Sequence, residues 1–214
     1  MVRAKRQSWS GSPPESEAEA RARLIAAALQ CAEAKGLRRT TIADIAAAAG
    51  VTRPTVYTYF PDRHTIFHAA FLDATARLAV GARAAMAAKR TAGERAVEAV
   101  VYFALELPRD PCLRLTLTDD GLGEFTSQAL RQDAVALGQA AAILAPMFEL
   151  APQLRPQRAE VVEVIVRFAL SLLTVPSPRA RTPAQLRAFL RRRLLPAIGL
   201  AEDPAALHRT SAHD

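Results

Sequence analysis

Apolar positions recur at helical spacing along most of the chain, and nothing alternates long enough to demand strands. Leu24, Ala27, Ala28 and Cys31 fall at i, i+3, i+4 and i+7. They predict a first helix from a Ser16–Glu19 capping box to about Lys35, stopped by Gly36. Ile42, Ile45, Ala46 and Ala49 repeat the spacing behind Thr41, and Gly50 ends that second helix. A third follows Thr52, from Arg53 to Phe60, with Pro54 in its first turn and Val56 and Phe60 facing inward. The fourth begins near Arg63 behind Asp62 and runs to about Lys89, turning Ile66, Phe67, Ala70, Phe71, Ala74 and Leu78 inward. Thr91 and Glu94 box the start of a fifth, which Pro108 ends, and Asp110-Pro111 opens a short sixth. The seventh spans Thr126 to Pro146 on a stripe of Leu130, Ala134, Leu137, Ala141 and Leu144. An eighth starts with Pro156 at its first position and ends near Thr174. It is apolar nearly all round, so it must be covered on both sides. The ninth, Thr182 to about Ile198, turns Leu186, Phe189, Leu190, Leu194 and Ile198 inward. The result is an all-α chain of about nine helices with short connections.

The second and third helices are short, and a tight turn joins them. The third presents hydroxyls, an arginine and two tyrosines outward, a composition that suits the DNA major groove. Arg53, at its start, is the candidate for a bidentate contact to guanine. Thr55 suits a thymine methyl or a base edge, Pro54 offers apolar contact alone, and Thr58 adds a hydroxyl. Thr41 can bind a phosphate together with the free N–H groups at the start of the second helix. Asp44 caps or pairs within the motif, since a negative charge toward DNA would oppose binding.

Thr40-Thr41, Asp44-Ile45-Ala46, Ala49-Gly50-Val51, Thr55-Val56-Tyr57, Tyr59-Phe60 and Arg63 form a gapped pattern over more than twenty positions. This stretch resembles the DNA-binding motif of the TetR family of bacterial repressors. The similarity extends through about residues 20 to 72, with Arg23-Leu24-Ile25, Ala27-Ala28 and Gly36 matching the family's first helix. Two positions depart: Ala32 stands where phenylalanine is usual, and Arg63 where lysine is usual. The resemblance implies phosphate contacts from Thr52, Tyr57, Tyr59 and Arg63. It further implies a homodimer on a roughly palindromic double-stranded operator, a small-molecule effector, and a C-terminal domain of actinobacterial type.

Four segments are expected: a disordered basic arm at 1–15, a helix-turn-helix domain at 16–62, a ligand-binding and dimerisation domain at 63–200, and a flexible tail at 201–214. Arg3, Lys5 and Arg6 in the arm lie in reach of phosphates or a minor groove, although a solvated tail explains them as well. The eighth and ninth helices offer a self-complementary surface through Val161, Ile165, Phe168, Leu172, Leu186, Phe189 and Leu190. An effector pocket would draw on Phe71, Met86, Tyr102, Phe103, Glu106, Leu115, Phe125, Met147, Phe148 and Phe168. Few of these are charged, which favours an apolar or amphipathic ligand. The fourth helix is the expected lever between ligand and DNA.

Composition narrows the picture. The formal charge is +7 and the pI about 10.2, a sign that suits a polyanion. The front third is denser in it: residues 1–68 hold 10 basic against 6 acidic groups, the rest 18 against 15. Cys31 and Cys112 fit no metal spacing, and Cys31 lies on an apolar stripe, so a reduced cytoplasmic protein is expected. His64 and His68 stand at i, i+4 without a third ligand, Asp119-Asp120 reads as a turn, and the arginines at 179, 181, 187 and 191–193 read as a solvated face. The basic start has no apolar h-region, and no run of about 18 apolar residues suggests a membrane span. No nucleophile elbow, phosphate loop, zinc signature or dinucleotide fingerprint appears, so neither catalysis nor a cofactor nor a metal is expected. An activator of the same fold, or a helical interaction protein that no longer binds DNA, remain as alternatives.

Overall fold

The computed structural model describes residues 8–117, 133–175 and 182–200. Ten α-helices lie within them: α1 Glu17–Lys35, α2 Ile42–Ala48, α3 Arg53–Tyr59, α4 Arg63–Ala87, α5 Ala92–Glu106, α6 Pro111–Leu115, α7 Asp133–Ile143, α8 Ala145–Leu150, α9 Arg158–Thr174 and α10 Pro183–Ala197. No strand occurs among the described residues. The chain divides into two compact units, 1–76 with 110–126 and 77–109 with 127–214. The division falls inside α4.

In the first unit α1 packs against α2, α3 and α6. Ala20, Leu24, Ala27, Ala28 and Ala32 of α1 meet Ile45, Ala46, Val56, Phe60, Ile66 and Phe67 in one apolar core. Alanines on one face of α1 let short helices approach closely. The Thr41–Asp44 capping box forms in full, and Gly36 closes α1 with φ 90°, a conformation that glycine adopts without a Cβ clash. The Ser16 cap is half of the expected box. Its hydroxyl accepts from Glu19 N–H, but the Glu19 carboxylate reaches back one residue further, to the N–H of Glu15 at 2.7 Å.

In the second unit α5 is central and packs against α8, α9 and α10. Its buried Ala96, Val97, Val100 and Val101 join Met147, Phe148, Val161, Ile165, Leu190 and Leu194 in the larger core. One carboxylate lies among them. Glu98, 6% exposed, receives Arg187 Nε at 2.7 Å and Lys89 Nζ at 3.3 Å, so a buried charge is held by two cations. The ring of Tyr102 lies over Gly81 of α4, where an added Cβ would overlap the tyrosine oxygen.

The structure redraws three boundaries. The expected seventh helix, Thr126 to Pro146, is described from Asp133, and a further helix begins where it was expected to end. α7 ends at Ile143, Leu144 is buried, and Pro146 sits in the first turn of α8, where its missing N–H has no helical partner to lose. Pro156 does not open α9; it lies within a 3₁₀ turn at Pro152–Gln157 that precedes it. The stretch 1–15 is not wholly an arm, because Ser8–Gly11 forms a 3₁₀ turn and Trp9 is buried in the first core. Arg3, Lys5, Arg6, Asp119, Asp120, Phe125, Thr126, Leu130, Arg179, Arg181 and the segment 201–214 lie outside the described residues.

Candidate nucleic-acid interface

The candidate reading element is α3. Thr52 caps it: its hydroxyl accepts from Thr55 N–H and lies 2.9 Å from the Thr55 hydroxyl. Pro54 pre-sets the first turn. Val56 and Phe60 are fully buried and key the helix into the core. That leaves Arg53, Pro54, Tyr57 and Thr58 exposed on one face, with Thr55 and Tyr59 half-buried beside it. Tyr57 is 53% exposed, so its ring and hydroxyl are open on that face. Thr58 donates its hydroxyl to the Pro54 carbonyl at 3.1 Å.

Charged side chains fix the backbone around this face. Arg21 on α1 donates Nη1 to the Tyr59 carbonyl at 2.6 Å and lies 4.1 Å over the Phe60 ring. It thereby meets an orphan carbonyl at the negative end of α3 and packs against the residue that anchors it. Arg63 donates Nη1 to the carbonyls of Leu37, Arg38 and Thr40 at 3.0, 3.0 and 3.2 Å. This clamps the loop that sets the start of α2. At that start Asp44 accepts from Thr41 N–H at 2.8 Å and pairs with Lys35. The Lys35 ammonium, then the Thr41 hydroxyl and N–H, hold the Asp44 carboxyl far below its ordinary range.

Four of the expected DNA-facing residues, Arg53, Pro54, Tyr57 and Thr58, thus share one open face, and Thr41 and Thr52 are exposed at helix starts. Two expected phosphate groups have structural work as well. Tyr59 meets Trp9 edge-on, with ring centroids 6.2 Å apart, and Arg63 holds three carbonyls. Sequence reasoning did not single out Arg21 or Trp9. The backbone N–H of Trp9 donates to the Gly50 carbonyl at 2.9 Å, in the turn between α2 and α3. A lone tryptophan in a Ser/Gly/Pro-rich stretch is the signal that could have found it.

Residues 24–70 match the profile of the bacterial regulatory proteins of the tetR family. An uncharacterised HTH-type transcriptional regulator of Mycobacterium bovis is 30% identical over 166 residues, covering 67% of this chain and 84% of that one. The chain belongs to the TetR family. A fatty acid degradation regulator, FadR from Bacillus halodurans, shares the fold with TM-score 0.62 at 20% identity, over 82% of this chain and 94% of that one. The TetR family repressor AlkX from Dietzia does so with TM-score 0.56 at 24% identity, over 84% and 95%.

This TetR-family chain is therefore a helix-turn-helix transcriptional regulator. The expected effector and interface residues sort by burial. Met86, Met147 and Phe148 are closed into the second core at 0%, 0% and 3% exposure, while Tyr102, Phe103, Glu106 and Phe168 are half-buried in the same unit. Phe71 is half-buried in the first unit, and Leu115 belongs to that unit's own core. Glu106 is paired with Arg109. Val161, Ile165, Leu186 and Leu190 fill the chain's own core, so they cannot themselves form an exposed contact surface. Phe168, Leu172 and Phe189 remain half-open, and Leu170 and Val175 are exposed at 49% and 63%. Among the described residues no helix is long and apolar enough to cross a membrane, and no cluster of metal-ligating side chains occurs.

Proposed function

We propose that this regulator is a cytoplasmic repressor that binds a roughly palindromic double-stranded operator as a homodimer. A small apolar or amphipathic effector releases it. The observation that carries the reading is the outward face of α3, with Arg53, Pro54, Tyr57 and Thr58 open while Val56 and Phe60 are locked beneath. Arg53 reads guanine, Thr55 a neighbouring base edge, and Thr41, Thr52, Tyr57, Tyr59 and Arg63 engage phosphate. A head this small selects a site when two copies act together. Phe168, Leu172 and Phe189 supply the apolar surface for pairing on α9 and α10. Tyr102, Phe103, Phe168 and their neighbours favour an apolar effector, which acts by preferring a conformation whose heads no longer match the half-site spacing.

Selection of duplexes from a random pool with the purified chain tests this directly. The expected product is an inverted repeat bound more weakly as salt rises. Absence of enrichment over a non-specific pool overturns the reading. Sedimentation of Phe168→Glu, expected to yield monomers, tests the pairing surface.

A further inference from the structure

Most cations of the first unit are committed to the chain itself. Arg21 holds the Tyr59 carbonyl, and Arg23 the Glu19 carboxylate and the Ser12 carbonyl. Lys35 pairs with Asp44, Arg63 holds three loop carbonyls, and Arg114 meets Glu33 at 2.5 Å. Among the described Lys and Arg of that unit, Arg38, Arg39 and Arg53 alone have side chains bonded to no other part of the chain, and all three are exposed. Arg53 lies on the candidate reading face. Arg38 and Arg39 lie in the loop between α1 and α2. The acids on either side of them in sequence, Glu33 and Asp44, are the two that Arg114 and Lys35 neutralise. Two adjacent positive charges thus stand uncompensated on open surface.

The loop that carries them is firmly held. Gly36 enters it at φ 90°. Thr40 is fully buried; its hydroxyl donates to the Gly36 carbonyl at 3.0 Å and its N–H to the Leu37 carbonyl at 3.3 Å. Arg63 gathers the carbonyls of Leu37, Arg38 and Thr40. Backbone held in this way leaves side-chain rotamers alone to be ordered on binding, which lowers the cost of binding. The loop leads directly into α2, the first helix of the helix-turn-helix. In that motif the first helix crosses the DNA backbone while the second lies in the groove, so a loop at the start of the first meets phosphates and not base edges. A guanidinium matches phosphate with two parallel N–H donors.

We propose that Arg38 and Arg39 form a phosphate-binding pair that grips the DNA backbone beside the bases that α3 reads. Arg63, by bracing their loop, positions them. The proposal rests on the operator-binding reading above.

The test uses the full chain and a duplex enriched from the random pool, with single phosphates replaced in turn by uncharged methylphosphonate. The double variant Arg38→Ala, Arg39→Ala is expected to lower the slope of log affinity against log salt by about 0.9 for each phosphate no longer neutralised, or about 2 per protomer, with base preference unchanged. Each single variant removes about half of that. Wild-type affinity falls at the methylphosphonates that the pair contacts, and the double variant is indifferent to those same positions. Arg38→Lys with Arg39→Lys keeps both charges and most of the slope. Both side chains are exposed, so the denaturant midpoint and the blue-shifted emission of the buried Trp9 should match wild type. A double variant with the wild-type slope overturns the proposal. So does one that responds to every methylphosphonate as the wild type does, or one whose base preference changes. A wild-type chain that enriches no duplex fails the operator reading and this proposal together; a selective wild type with an indifferent double variant fails this proposal alone.

Discussion

The two units of this chain are held together by different chemistry. In the first, polar side chains tie the backbone at each junction: Arg21 at the end of α3, Arg63 at the loop before α2, Thr41 with Asp44 and Lys35 at the start of α2, and Thr52 at the start of α3. In the second, the packing is chiefly apolar, with α5 ringed by Met, Phe, Val and Leu and one carboxylate fixed by two cations. Hydrogen bonds have narrow geometry, whereas dispersion contacts accept substitution if volume is kept. A surface that must match the fixed spacing of base edges calls for the first kind of construction. An interior of the kind proposed for the effector calls for the second.

The largest way to break that contrast is to remove an anchor. Phe60→Ala is expected to destabilise the first unit by about 3–5 kcal/mol, because it empties a fully enclosed site under α3. Leu190→Met, at an equally buried position in the second unit, should cost under about 1.5 kcal/mol, since volume is nearly kept. Denaturant unfolding checks each figure; a Phe60→Ala loss under about 1.5 kcal/mol would show that α3 is held by its polar ties and not by the anchor beneath it. Next in size is Arg63→Met, which strands three carbonyls and should cost about 1.5–3 kcal/mol, the range for hydrogen bonds to charged groups. If stability holds and only DNA affinity falls, Arg63 is a phosphate ligand and not a clamp. Arg53→Ala separates reading from holding. Its side chain is exposed, so stability should stay constant while discrimination at one base position drops by about 1–3 kcal/mol per half-site. An unchanged preference across operator variants would remove it from the reading face.

The smallest effect concerns pH. The Asp44 carboxyl is held far below its ordinary range by Lys35 and Thr41. Its contribution is therefore present in full above the unfolded carboxyl value of about 3.9 and fades as the solution is acidified below it. Wild-type stability should fall more steeply below about pH 4 than that of Asp44→Asn, which cannot titrate. Parallel acid profiles would show that the Asp44 bonds add nothing.

Much of this was readable before any coordinates. Helices α1 to α6 announce themselves because each carries its own start or stop signal, such as Thr41, Thr52, Pro54, Thr91 or Asp110. The open residues of α3 follow from Val56 and Phe60 fixing which side is inward. The rest depends on partners distant in sequence. Proline both ends helices and begins them, so Pro146 could not reveal on which side of it a helix lay. An all-apolar α9 does not say which face its own chain covers, and Val161 and Ile165 proved to be inside. Arg63 finds carbonyls at 37, 38 and 40, and Trp9 finds Gly50, across gaps that no periodicity spans.

The close approach of Tyr102 to Gly81 has a practical corollary. A single hydrogen atom is all that the phenol leaves room for at position 81, so the aromatic pose depends on the smallest possible neighbour. Alanine there would act as a wedge and drive the ring into another rotamer. Pairing that wedge with leucine at 102 would return the missing room. Such a matched exchange offers a way to recarve the interior of the second unit without touching a residue of α3.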